Sequence, residues 1–267
     1  MAKNRFHPRL HKRFVLEHHG YKVYSVNALA VRNSGPGNEE FDNFATHDEL
    51  PRLIPKDEIW VAERALPREG VFFIADALTR LQEAARGMPE GAAYTAGLHV
   101  QRFLREKWDG LDYRGGKPHK RVPARVYGGH YLTLADPEFP IEVWLVDGSV
   151  VRGLYKTDYT EGGHGYVYRW VPKDEIWVES TVDRRELPLV VAHEYLELRL
   201  MRDEGLAYDP AHAIAAKLEY QLREGRGLDP LLAPERRKLR KRDLPKLASG
   251  EVFAYVRRHY LPKQGAP

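Results

Sequence analysis

The sequence predicts an α+β fold in which one module occurs twice, each copy a small, mostly antiparallel sheet followed by a helical hairpin. Three observations carry this reading. Ile54-Pro55-Lys56-Asp57-Glu58-Ile59-Trp60-Val61 recurs as Val171-Pro172-Lys173-Asp174-Glu175-Ile176-Trp177-Val178, with seven consecutive identities at an offset of 117. Upstream, Val26–Arg32 lines up with Val146–Arg152 at an offset of 120, and the offset of 117 places His47 on His164. After the identical segment the hydrophobic period changes from 2 to 3.6 in both copies.

The second copy justifies the elements one by one. Ile141–Val146 alternates β-branched and aromatic residues, as a strand does. Asp147-Gly148 predicts a two-residue hairpin turn, with Val150–Leu154 as the returning strand. Gly162-Gly163-His164-Gly165 predicts a mobile or tightly turned loop, and Tyr166–Val171 and Glu175–Val178 predict two further strands. Leu187–Glu204 predicts a helix, with Pro188 in its first turn and Gly205 as its stop. Asp209 as N-cap and Pro210 as the first helical residue open a second helix to about Arg223. Trp60 and Trp177 are expected as core anchors.

This divides the chain into a basic arm (1–20), a first repeat (21–110), a Gly/Pro-rich basic linker (111–140), a second repeat (141–225) and a basic tail (226–267). The linker is expected to hold one strand near Val126–Leu132, and the tail a short helix near Glu251–His259.

Composition narrows the function classes. The chain has 267 residues, 43% hydrophobic, enough for a sizeable core. There is no cysteine, which excludes disulfide scaffolds, thiol catalysis and Cys-based metal sites, so any metal ligands must be His, Asp or Glu. No apolar run approaches the ~20 residues of a membrane span. Residues 1–20 lack the apolar core of a secretory signal, so a cytoplasmic, non-membrane protein is expected. The net charge of +4 conceals basic ends around an acidic body.

The residues that point to chemistry lie on the first helix of the second hairpin, in Val190-Val191-Ala192-His193-Glu194-Tyr195-Leu196-Glu197. His193 and Glu197 are four residues apart and share a helix face at about 6 Å, suitable for two ligands of one metal. Glu194 stands one step round the helix. The stretch resembles the active-site helix of zincin-type metallopeptidases, in the compact form whose third ligand comes from the next helix. The resemblance covers about 30 residues, His193 to Glu219, with Glu197 standing where the pattern has its second histidine. It implies a divalent metal, Zn in the family, and Glu194 as the general base of a hydrolase acting on a protein or peptide. For the third ligand the hairpin offers Glu219, level with the pair on the returning helix, or His212, the better ligand type but nearer the connecting loop. One could ligate and the other orient.

At offset 117, His193 falls on Asp76, Glu194 on Ala77 and Glu197 on Arg80, a set that would repel a cation. His99 and Glu106 repeat the spacing of His212 and Glu219. The first copy is therefore expected to keep the scaffold without the chemistry. In the tail, Arg236, Arg237, Lys238, Arg240, Lys241 and Arg242 could contact phosphates non-specifically. Two readings emerge. One is a metal-dependent hydrolase, with the strand Glu175–Val178 as an edge that accepts substrate. The other is a non-enzymatic binding or structural protein whose basic ends contact nucleic acid or an acidic partner.

Overall fold

The computed structural model describes residues 10, 12–34, 41–109, 117, 121–224, 239–244, 253–254, 257–258 and 261. The first copy contains β1 (Arg13–His18), β2 (Tyr21–Val26), α1 (Ala28–Arg32), β3 (Phe44–Thr46), β4 (Glu58–Ala62), α2 (Leu66–Ala85) and α3 (Glu90–Asp109). The second contains β5 (Tyr127–Leu134), β6 (Ile141–Val146), α4 (Gly148–Leu154), β7 (Gly162–His164), β8 (Glu175–Glu179), α5 (Leu187–Asp203) and α6 (Tyr208–Arg223). The two sheets have the same order, β1-β2-β4-β3 and β5-β6-β8-β7. In each the central pair is parallel and both outer pairs are antiparallel, so the expected α+β duplication with mostly antiparallel sheets is what the chain builds.

Two compact units result, Met1–Gly115 with Gly148–Thr160, and Gly116–Asp147 with Glu161–Pro267. The boundaries differ from the sequence reading in three ways. The arm over 1–20 contributes β1, the linker over 111–140 contributes β5, and the segment carrying α4 belongs to the first unit. In that unit Arg152 of α4 donates through Nε to Glu69 Oε1 at 2.9 Å and pairs with Glu69 Oε2, and Arg105 pairs with the same carboxylate at 2.7 Å.

Val150–Leu154 is helical, not the second arm of a hairpin. The reason is visible at Asn27, its counterpart ahead of α1. The Asn27 side chain accepts from Ala30 N at 2.9 Å and caps the helix, a role that Asp at position 147 also favours. Asn27 N donates to Leu10 O and Asp147 N to Val126 O at 2.9 and 2.8 Å, so both chains leave the sheet at the same point. A hairpin would force an antiparallel neighbour; the helical crossing lets β4 and β8 join as parallel partners.

Gly162–His164 is a strand, and Tyr166–Val171 is a run of turns closed by Tyr168 N to His164 O at 2.9 Å and Val171 N to Tyr168 O at 3.1 Å. β8 is paired on both sides, so it is not the substrate-accepting edge expected of Glu175–Val178; β5 and β7 are the outer strands. The helical hairpin matches its expectation closely. Gly205 (φ +66°) ends α5, and α6 starts at Tyr208 behind Ala207, so Asp209 lies in the first turn rather than at the cap.

The identical segment has a packing explanation. Trp60 Nε1 donates to Glu58 Oε2 at 2.7 Å and Trp177 Nε1 to Glu175 Oε2 at 2.6 Å. Both indoles are buried, while Ile176 and Val178 face the core of Val143, Val191, Tyr195 and Leu198. An inner strand covered on both faces tolerates few alternatives.

In the tail, Leu244 and Phe253 join the second core. Arg240 and Arg242 are exposed, and Lys241 Nζ lies 4.2 Å from the Tyr131 ring centroid. Arg236, Arg237 and Lys238 lie outside the described residues, as does most of the helix expected near Glu251–His259. Among the described residues no helix is long and apolar enough to cross a membrane.

Trp60→Ala and Trp177→Ala should each cost about 3–5 kcal/mol in denaturant unfolding. Trp108→Ala, at a site 72% exposed, should be near neutral. Equal effects at all three positions would contradict the anchoring role.

Candidate metal centre

α5 is buried along Leu187–Leu200 except at Glu194. Such a helix must neutralise any charge it carries, and it carries His193 and Glu197 inward. Glu197 is answered from three elements. His164 on β7 has Nε2 3.1 Å from Glu197 Oε1. His212 on α6 has Nδ1 2.9 Å from Glu197 Oε2. His193, one turn earlier on α5, has Nε2 3.5 Å from the same oxygen. His193 Nε2 and His212 Nδ1 lie 3.1 Å apart.

Three donor atoms, His193 Nε2, His212 Nδ1 and Glu197 Oε2, thus form a triangle with sides of 2.9, 3.1 and 3.5 Å. Ligands ~2.0–2.1 Å from a tetrahedral ion stand about 3.3 Å apart, so this triangle is close to one face of such a tetrahedron. The set therefore fits a divalent cation by both atom type and spacing.

The surrounding groups fix the rings. A carboxylate can only accept, so His193 Nδ1–H donates to Glu219 Oε2 at 3.0 Å and leaves Nε2 for the triangle. Arg223 holds Glu219 through Nη2–Oε1 at 2.6 Å and also pairs with Glu186. Glu219 therefore orients His193 and does not join the three donors, while His212 does. Antiparallel packing brings His212 opposite Glu197 and Glu219 opposite His193, which places His212 nearer than its loop-proximal position suggests.

His164, which the sequence places in a Gly-rich loop as a loop residue or as one that could ligate or polarise a substrate, is fully buried on β7. Its Nδ1 accepts the backbone N–H of Tyr166 at 3.2 Å, so Nε2 carries the proton and donates to Glu197. His164, Glu194 and Glu197 form a second close group, but this tautomer makes His164 a positioning donor and not a ligand. Position parity on β7 was the only available signal, and the Gly-rich context obscured it.

Electrostatics follow this arrangement. Burial works to raise the Glu197 carboxyl pKa, but hydrogen bonds from His164, His193 and His212 outweigh it and hold the group well below the usual range. Burial lowers His193, yet hydrogen bonds to Glu197 and Glu219 raise it well above the ordinary value. Burial lowers His164. Burial, assisted by the Glu197 charge, raises Glu194 to about 8.

Gly162 makes room for Glu194. A Cβ there would lie 2.5 Å from Glu194 Oε1 and 2.9 Å from its Cγ. Tyr208 stacks on His212 at 5.2 Å, and the His212 side chain, 34% exposed, is the most open of the three donors.

The first unit corrects the sequence alignment. Residues 63–65 join β4 to α2, whereas 180–186 join β8 to α5. The four additional residues move the helix offset to 121, where Leu66-Pro67 meets Leu187-Pro188. His193 then falls on Phe72, Glu194 on Phe73 and Glu197 on Asp76, not on Asp76, Ala77 and Arg80. Sheet register pairs Thr46 with Ile59 as His164 with Ile176, so Thr46, not His47, is the counterpart of His164. Phe44, counterpart of Gly162, stacks on Phe73 at 5.1 Å, so an aromatic pair fills the space that Gly162 and Glu194 share. Asp76 is fully buried on Arg80 and Gln101 (2.6 Å). His99 and Glu106 are exposed and take no part. Among the described residues, both close His/Glu groups belong to the second unit.

No family model, curated protein or solved structure matches this chain.

Gly162→Ala should cost about 1–3 kcal/mol by crowding Glu194. Combining it with Glu194→Ala should recover part of that cost, a coupling of about 0.5–3 kcal/mol in a double-mutant cycle. Strict additivity in unfolding experiments would show that the two residues do not share this space.

Proposed function

We propose that the second unit binds one divalent metal ion, most simply Zn²⁺, and uses it to hydrolyse a peptide or related acyl substrate. The observation that carries this reading is the convergence of His193 Nε2, His212 Nδ1 and Glu197 Oε2 at 2.9–3.5 Å, beside a carboxylate that is not one of them. His193, His212 and Glu197 would hold the ion, with Glu219 and His164 orienting the first and last of these. A cation there would supply Lewis acidity towards a carbonyl oxygen and lower the pKa of water.

The chain's own groups divide the remaining work. Glu194 is the single residue of Leu187–Leu200 that is only half-buried, so its carboxyl group can meet water and substrate. A cation at the three donors would favour the ionised form of Glu194 against its raised pKa, and the carboxylate then takes a proton from the attacking water and returns it to the leaving amine. β7 carries Gly162 against Glu194 and has a free sheet edge, so an extended peptide added to β7 would pass its backbone beside Glu194.

Elemental analysis of untagged protein should find about one metal ion per chain, and a chelator should abolish hydrolysis of an unstructured protein substrate. His193→Ala should lose metal and activity together. Glu194→Gln should keep its metal and lose about 10²–10⁴-fold in rate. Glu219→Gln should weaken metal affinity about 10–100-fold. Absence of metal after incubation with Zn²⁺, Mn²⁺ and Fe²⁺ would overturn the site. Stoichiometric metal with no hydrolysis would leave it structural.

A further inference from the structure

The sheet face turned away from α5 and α6 carries a second constellation, independent of the metal centre. It is best read against the first unit. There, Lys12 pairs with Glu58, and its ammonium lies 4.0 Å from the Tyr24 ring centroid and 5.3 Å from that of Trp60. Lys22 pairs with Asp57 at 2.9 Å. Two lysines thus answer two carboxylates over an aromatic floor.

Strand register identifies the counterparts in the second unit. Tyr24 pairs with Trp60 as Trp144 does with Trp177, and Lys22 pairs with Glu58 as Glu142 does with Glu175. Phe14 meets Tyr24 edge-on at 5.9 Å and His130 meets Trp144 at 5.1 Å, so residue 12 corresponds to residue 128. The aromatic floor and both carboxylates are kept, as Trp144, Trp177, Asp174 and Glu175. Neither lysine is kept: Gly128 replaces Lys12, and Glu142 replaces Lys22. Four positions that balance in the first unit carry three carboxylates in the second. Of these, Glu142 is met by His130 at 2.6 Å. Among the described residues, Glu175 accepts from Tyr127 Oη at 2.9 Å and Trp177 Nε1, both uncharged.

Above this floor lies an open pocket of about 630 Å³, walled by Tyr127, Trp144, Trp170 and Glu175, with the exposed Arg121 and Arg169 on its lining. The Tyr127 ring meets Trp144 at 5.0 Å and Trp177 at 5.7 Å, so Tyr127 stands on Glu175 where Lys12 stands on Glu58 and brings no charge. We propose that this pocket binds an alkylammonium group of a ligand over Trp144 and beside Tyr127, against the Glu175 carboxylate. Aromatic faces and a desolvated carboxylate are the chemistry that recognises such a cation, and the first unit displays the same combination already filled. Burial and the charges of Asp174 and Glu142 raise the Glu175 pKa against the hydrogen bonds from Trp177 and Tyr127. The ammonium can belong to a free amine or to a lysine side chain.

The test is a titration of the full chain with n-butylammonium, read at the Trp144 indole N–H resonance. Saturable binding on the order of 1 mM is expected, with no comparable effect from 1-butanol, the neutral isostere. Glu175→Gln should weaken binding at least about tenfold. Lys12→Ala should open a second saturable site, read at Trp60. A tripeptide, acetyl-Gly-Lys-Gly-amide, distinguishes the sources: saturation by the peptide alone assigns the site to lysine side chains, and saturation by butylammonium assigns it to amines in general. The proposal is overturned if neither amine saturates, if 1-butanol binds equally, if Glu175→Gln is without effect, or if only an anionic probe such as inorganic phosphate shifts the resonance.

Discussion

A carboxylate buried on the helix that backs each sheet is the constraint around which both units are arranged. Burying an ionised carboxyl group without partners costs more than a domain of this size can spare, so neighbouring elements must supply donors. In the first unit Asp76 meets that demand with Arg80 and Gln101. In the second, Glu197 meets it with three imidazoles from β7, α5 and α6. The same structural requirement has two chemically different solutions. An arginine consumes the charge, whereas imidazoles can exchange a proton for a metal ion.

The divergence between the units is local. At one position an aromatic pair, Phe44 on Phe73, occupies space that Gly162 and Glu194 share in the second unit. Phe72 stands for His193, and Thr46 for His164. An apolar filling removes the His193 imidazole, the Glu194 carboxylate and the room beside it together. The backbone architecture survives because the indole–carboxylate bonds of Trp60–Glu58 and Trp177–Glu175 lie on the other face of the sheet.

That other face diverges in charge as well. The first unit closes it with its own Lys12 and Lys22, while the second leaves Asp174, Glu175 and Glu142 over Trp144. The first unit has thus satisfied both faces internally, where the second leaves groups turned outward on each.

Sequence alone determined the duplication, the strands at 141–146 and 175–178, the helical hairpin and the conjunction of His193, Glu197, His212 and Glu219. These depend on periodicity, caps and i, i+4 spacing, which are local properties of the chain. Tertiary structure decided the rest. It made Asp147-Gly148 a helix start, because the central strands pair in parallel and the chain must cross between them. It assigned His212 to the donor triangle and Glu219 to the outer nitrogen of His193, because crossing geometry between helices is not encoded in spacing along either one. It brought His164 to Glu197 from 33 residues away and shifted the helix alignment by four, because the β8–α5 connection is longer than its counterpart. An identical segment fixes register only as far as its own strand, and beyond it packing, not sequence offset, determines which residues are equivalent.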